Sequence, residues 1–193
     1  MAKLYFNYST MNAGKSTALI QAAYNYRERG MNPYLVTAKL DNRMGTSKIV
    51  SRIGIEEEAS VFELADDLYY RVKSLLKEIM INCILLDEAQ FLSKSQVWQL
   101  ARIVDQLNIP VLCYGLRVDF RGELFPGSLT LLSIADEIKE IKTICHCGRK
   151  ATMVVRKNSN GIIVNQGDQI QIGGNETYTS LCRHHWCEEM VKF

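Results

Sequence analysis

Ser9-Thr-Met-Asn-Ala-Gly-Lys-Ser16 decides the reading of this chain, because of what flanks it. Upstream, residues 3–8 form a short apolar-aromatic run with strand character. Downstream, residues 15–29 place Leu19, Ala22, Ala23 and Tyr26 on one helical face, and Gly30 can supply a left-handed cap. A loop that cradles nucleotide phosphates needs inward-facing backbone N–H groups with a helix N-terminus behind them. It also needs a lysine that reaches the β- and γ-phosphates and a hydroxyl for Mg²⁺. Gly14, Lys15 and Ser16 supply these parts; the departure is Ser9, where the pattern has its first glycine. Gly-Lys-Ser is short enough to recur by chance. Its place at a strand-to-helix junction is what makes it specific.

The expected companion follows in Cys83-Ile-Leu-Leu-Asp87-Glu88-Ala89-Gln90-Phe91. An apolar strand ending in Asp puts a carboxylate at the C-terminal edge of a parallel sheet, where Asp87 can hold Mg²⁺. Glu88 is then free for proton or water chemistry. Around these motifs the pattern alternates. Residues 33–39 read as a strand and 61–80 as a long amphipathic helix carrying Leu64, Leu68, Val72, Leu75, Leu76 and Ile79. Ser93 reads as the N-cap of a helix through Leu107, and Pro110 opens a strand over 111–114. The fold class expected is α/β: a P-loop, RecA-like, mostly parallel sheet flanked by helices, in a nucleotide-binding domain over 1–143.

From about residue 144 the pattern changes. Residues 151–156 and 161–165 are β-like and flank Lys157-Asn-Ser-Asn160, a hairpin signal, while the polar stretch 166–177 reads as a loop. This small β-rich lobe, 144–193, has too few apolar residues for a core of its own and needs a staple. Cys145-His-Cys147 and Cys182-Arg-His-His185 are two short ligand turns of the kind that hold tetrahedral zinc. Spacing favours Cys145, Cys147, Cys182 and His185, with Cys187 as the other candidate for the fourth position. Four protein ligands fill zinc, so a site of this kind is expected to be structural.

Composition fits the same picture. The chain has 193 residues, 47% apolar and 23% charged, with 23 Lys+Arg against 21 Asp+Glu for a net charge of +2. That excludes a largely disordered chain and argues against a nucleic-acid binder, whose affinity comes from clustered cations. No apolar run is long enough for a membrane span, and residues 1–8 lack the features of a signal peptide. A Cys/His cluster of this kind suits a reducing compartment, so a cytoplasmic protein is expected. Cys83 and Cys113, alone in apolar runs, read as small core residues.

Five ordered motifs carry a resemblance. They are Met11-Asn-Ala-Gly-Lys-Ser-Thr17, Asp87-Glu-Ala-Gln-Phe91, Tyr114-Gly-Leu-Arg-Val-Asp-Phe-Arg-Gly-Glu-Leu-Phe125, Ile172-Gly-Gly-Asn-Glu-Thr-Tyr178 and the Cys/His cluster. Together, over essentially the whole chain, they resemble the type II thymidine kinases. The resemblance implies transfer of the γ-phosphoryl of ATP to the 5′-hydroxyl of thymidine, or deoxyuridine, with Glu88 as general base. It implies ATP contacts from Ser9, Thr10, Met11, Asn12, Ala13, Gly14, Lys15, Ser16, Asp87, Glu88, Ala89 and Gln90. Thymine would be enclosed by Met11, Leu116, Phe120 and Tyr178 with Phe91 and Phe125 nearby, its edge read largely by backbone groups of a late loop at about 169–174, which includes Gln171, Ile172 and Gly173. The fourth zinc ligand would be His185. The family implies a homotetramer inhibited by dTTP, and a phosphate-contacting role is open to Arg43.

Two rival readings share parts of this pattern. A RecA-like ATPase acting on nucleic acid would use the same sheet and loop but calls for a basic track. A zinc-stapled nucleotide-binding regulator without turnover would have no use for Glu88 beside the Mg²⁺ acid.

Overall fold

Strand β6 (Cys83–Leu86) is apolar at every position and buried at every position, as a strand covered on both faces of a sheet must be. Ile84 and Leu86 point into one core and Cys83 and Leu85 into another, the period-two alternation of a pleated strand. In the computed structural model, which describes residues 1–39, 47–171 and 176–190, this strand sits inside a parallel sheet. In chain order the elements before it are β1 (Leu4–Ser9), α1 (Lys15–Glu28), β2 (Pro33–Ala38), β3 (Lys48–Val50), β4 (Glu56–Glu58), β5 (Ser60–Phe62) and α2 (Leu68–Leu75). After it come α3 (Lys94–Leu107), β7 (Val111–Leu116), α4 (Pro126–Ile134) and β8 (Glu137–Glu140).

The sheet runs β5-β2-β6-β7-β1-β8, and its pairings are all parallel. The larger core lies between this sheet and α2, α3 and α4, with Phe6, Leu86, Val97, Leu100, Ile103 and Leu131 at its centre. The smaller one lies under α1, where Leu19, Ile20 and Ala23 meet Leu35, Leu85 and Ile49 of β3. Helix α3 starts at Ser93 as expected, in a capping box: Ser93 Oγ accepts from Gln96 N, and the Gln96 side chain returns to Ser93 N.

The expected helix over 61–80 is overturned. Residues 60–62 pair with β2 as β5, and the helix is only α2, begun by Asp67, whose carboxylate accepts from Tyr70 N at 3.0 Å. Leu64 and Ile79, assigned to the apolar face, are exposed at 64% and 43%. Val61 and Phe62 are equally at home in a strand, and the open edge of β2 claims them. The hairpin β3–β4, helix α4 and edge strand β8 were not anticipated.

The last part of the chain contains β9 (Thr143–Ile144), β10 (Lys150–Ala151), β11 (Met153–Lys157), β12 (Ile163–Val164), β13 (Tyr178–Leu181) and α5 (Arg183–Met190). β12-β11-β13 form an antiparallel sheet, with the expected hairpin between β11 and β12. It packs around Cys145, Ala151, Val155, Leu181 and Cys182, with Trp186 at the edge. Ser180 Oγ donates to Met11 O at 2.7 Å, fastening β13 to the loop after β1.

Candidate active site

The loop between β1 and α1 turns through left-handed backbone at Asn12 (φ 62°) and Gly14 (φ 82°), and Gly14 caps α1. Ser9 turns its side chain into the loop. Its Oγ donates to Thr10 O at 2.6 Å and accepts from Lys15 Nζ at 3.0 Å. Lys15 Nζ also donates to Thr10 O at 2.9 Å. The serine in place of glycine is therefore accommodated as part of the lysine's seat. The first N–H groups of α1 and the Lys15 ammonium make the positive end of the site.

Strand β7 lies between β1 and β6, yet the first turn of α1, which follows β1, meets the residue that follows β6. Ser16 Oγ donates to Asp87 Oδ2 at 2.8 Å, and Asp87 Oδ1 accepts from Glu88 N at 3.0 Å. Asp87 is 3% exposed. A hydroxyl and a carboxylate, both hard oxygen donors, suit Mg²⁺. Glu88 adopts φ 55°, a left-handed conformation uncommon for a residue with a side chain. Its Oε2 accepts from Gln90 Nε2, while Gln90 Oε1 accepts from Leu116 N at 2.9 Å. Gln90 thus ties the acid-bearing turn to the end of β7. Gly115 permits this: a Cβ there would lie 2.9 Å from Gln90 Oε1. Burial, aided by the Asp87 charge, pushes the neighbouring Tyr114 hydroxyl up to about 12, so Tyr114 is a neutral phenol.

These groups open onto a cavity of about 570 Å³. Asn12, Ala13, Gly14, Lys15, Ser16, Asp87, Glu88 and Gln90 line it, and so do Met11, Phe91, Leu116, Phe120, Phe125, Gln171 and Tyr178. Phe91 and Phe125 meet edge to face with ring centroids 6.2 Å apart. Tyr178, which begins β13, donates its hydroxyl to Gln171 O at 2.7 Å. Ser9, Thr10 and Ala89 are buried behind the wall. Ile172, Gly173 and Arg43 lie outside the described residues.

The sequence reading missed several residues of the cavity wall. Thr37, the run 48–53, Val118, Asp119 and Val154 also line it, whereas Gln169 and Ile170, which line it too, fall within the late loop expected at the base edge. Residues 48–53 belong to the unanticipated hairpin, which is pinned to α1 by a short Thr17–Ser51 hydroxyl contact. Asp119 is 2% exposed and organises its loop, accepting from Arg121 N and Glu123 N at 2.9 Å and from Gln169 Nε2 at 3.2 Å. It stands inside the motif running from Tyr114 to Phe125. An acid set directly between the apolar Val118 and Phe120 was the available signal.

At the far end, Cys145, Cys147, Cys182 and His185 bring their ligand atoms within 4.8 Å of one another. Tetrahedral zinc with ordinary bond lengths requires edges of about 3.8 Å for S···S and about 3.5 Å for S···N. The structure has Cys147 Sγ to Cys182 Sγ at 3.8 Å, Cys182 Sγ to His185 Nδ1 at 3.5 Å, and Cys145 Sγ to His185 Nδ1 at 3.3 Å. The donor set fits zinc, with Nδ1 as the histidine ligand. Burial works against ionising Cys145, but hydrogen bonding from the backbone of Cys147 and Cys182 and from the His185 and Cys147 side chains brings its thiol down to about 6. Cys187 is not part of the converging set. His146 stacks on His185 with centroids 4.2 Å apart, and His184 is exposed.

Comparison with known proteins spans all of these features. The family model for thymidine kinase matches residues 2–186. A thymidine kinase of Ruegeria pomeroyi is 63% identical over 188 residues, covering 97% of this chain and 95% of the relative. One from Jannaschia sp. is 61% identical over 97% of this chain and 96% of its own, and one from Photobacterium profundum 56% over 98% and 99%. Similarity that runs from the phosphate loop through the cysteine cluster places this chain in the thymidine kinase family.

Proposed function

We propose that the protein is an ATP-dependent thymidine kinase that also accepts deoxyuridine, transferring the γ-phosphoryl of ATP to the nucleoside 5′-hydroxyl. The observation that carries this is the single cavity onto which a lysine-bearing phosphate loop, a hydrogen-bonded Ser16–Asp87 pair, Glu88 and a cluster of aromatic rings all open. Lys15 and the N-terminus of α1 neutralise phosphate charge, which is most of what a protein does in phosphoryl transfer. Ser16 and Asp87 are the residues that would hold Mg²⁺, which supplies charge neutralisation between the phosphates when bound. Glu88 accepts the proton of the 5′-hydroxyl as that oxygen attacks, with Gln90 orienting its carboxylate. Phe91, Phe120, Phe125 and Tyr178 offer faces for a planar base, and the segment through Gln171 covers its edge.

Zinc at Cys145, Cys147, Cys182 and His185 belongs to the proposal as a structural ion that closes a lobe over 144–193. A homotetramer, feedback inhibition by dTTP and a cytoplasmic location complete it. The location is supported by a cysteine cluster suited to reducing conditions and by the lack, among the described residues, of any helix long and apolar enough to cross a membrane. A nucleic-acid motor is disfavoured by the family match and by a net charge of only +2. The test is a phosphoryl-transfer assay with ATP against a panel of deoxynucleosides, run beside ATP hydrolysis with and without DNA. Thymidine and deoxyuridine should be phosphorylated, and DNA should leave hydrolysis unchanged. DNA-stimulated hydrolysis without nucleoside product would overturn the reading.

A further inference from the structure

Arg156 is a charged side chain that the proposed chemistry does not use, and it is 4% exposed. It lies in β11, and no carboxylate pairs with it among the described residues. Its Nη1 instead donates to Asp168 O at 2.7 Å and its Nη2 to Gln166 O at 3.0 Å, while its Nε is buried without a partner. The guanidinium carbon stands 3.8 Å from the centroid of the Phe120 ring. Burying a guanidinium costs heavily unless its surroundings return the lost hydration. Here the return comes from two carbonyls and one aromatic face, all belonging to segments that build the base end of the cavity.

The two carbonyls flank Gly167, at φ 122°, where a Cβ would fall 2.4 Å from Nη2. The chain therefore wraps tightly around the guanidinium at a residue that only glycine suits. Beyond it, Gln169 reaches Asp119, and Gln171 accepts from Tyr178. Phe120 packs with Met11, Val154 and Tyr178 in the wall of the same cavity. Arg156 does not itself line that cavity.

We propose that Arg156 is a positioning residue for the nucleobase, fixing the Phe120 ring and the stem of the covering loop at once through its planar fork. This rests on the proposal that the aromatic end of the cavity takes the nucleoside. A lysine cannot do the same, because one ammonium cannot span both carbonyls and lie flat on a ring.

The test is steady-state kinetics of Arg156→Met and Arg156→Lys with thymidine and ATP varied separately, alongside thermal melting and zinc content. Both variants should raise the thymidine KM about tenfold, the scale of losing one or two ordering hydrogen bonds. The ATP KM should move by less than about twofold and zinc should stay bound, as expected when only nucleoside binding is affected. Gly167→Ala, whose Cβ would meet the guanidinium and force the fork and the loop stem apart, should give a shift in the same direction and decides the matter should the arginine variants prove insoluble. An unchanged thymidine KM overturns the proposal, and so does an equal rise in both KM values, which marks a general loss of structure. Rescue of the thymidine KM by lysine overturns the role of the fork. Wild-type turnover of thymidine is measured first: its absence would overturn the functional reading, whereas normal wild-type turnover with unshifted variants would overturn this inference alone.

Discussion

On the proposed division near residue 144, the sheet body and the terminal lobe solve the same problem by different means. The body closes over Phe6, Leu86, Leu100, Ile103 and Leu131, all 1% exposed or less, and uses no metal ligand to do so. Among the described residues the lobe's cluster has five buried members, and two of these, Cys145 and Cys182, belong to the set that fits zinc. A core this small cannot offset chain entropy by apolar burial alone. The division extends to the site. Lys15, Ser16, Asp87 and Glu88 sit on the body, whereas Gln171 and Tyr178 come from the lobe. On the proposed mechanism, rate should answer to the body alone, whereas nucleoside affinity should answer to the lobe as well as to the body's Phe91, Phe120 and Phe125.

The strongest way to break that division is at Glu88. Loss of a positioned base costs about a hundred- to ten-thousandfold in rate. Glu88→Gln should lower kcat by that amount, with nucleotide binding measured by calorimetry nearly unchanged and zinc retained. A variant with near-normal kcat would remove Glu88 from the chemistry.

The next test moves to the lobe. The protein should carry about one zinc per chain by elemental analysis, a full tetrahedral site. Cys182→Ser and His185→Ala should each lose it and lower the melting temperature, since structural zinc contributes on the order of ten kcal/mol in small modules. The thymidine KM should rise well above its wild-type value while the ATP KM moves little. Cys187→Ala should keep the metal. Zinc retained in His185→Ala and lost in Cys187→Ala would reverse the choice of fourth ligand.

A core truncation gives the converse. Leu100→Ala, 1% exposed in the wild type, should cost about 2–5 kcal/mol of global stability by denaturant unfolding. Zinc content should not change. A truncation that stripped the metal as well would mean that body and lobe unfold as one unit.

How much of this was legible in sequence follows the same line. The phosphate loop and Asp87 could be read because their residues are contiguous and end strands of strong apolar character. Helix α3 could be read because Ser93 caps it and Gln96 completes the box. Residues 61–80 misled because an apolar stretch beside an open sheet edge satisfies either period, and tertiary pairing decides. The β3–β4 hairpin buries little beyond Ile49, so it left no alternation to find. Helix α5 has no buried residue, so its candidate ligand His185 was visible while the helix was not. Arg156 acts through partners in other segments of the chain, which no local pattern encodes.

The smallest effect probes the seam between the two regions. Trp186 follows His185 directly, and its Nε1 is shared at 3.1 Å between Phe120 O on the body and Val154 O in the lobe. The indole therefore connects the helix bearing the fourth candidate ligand to the ring that walls the base end of the cavity. Trp186→Phe keeps most of the apolar contact and deletes the donor, at about 0.5–1.5 kcal/mol for a hydrogen bond of this kind. Because Phe120 O and Val154 O keep their other lone pairs and Phe120 keeps its stacking on Arg156, the loss should stay near the lower end. The thymidine KM should therefore rise only a few-fold, with kcat, ATP KM and zinc content as in the wild type. A change in kcat of the same size would show that the seam transmits to Glu88 as well, and the separation of rate from nucleoside affinity would fail at that point.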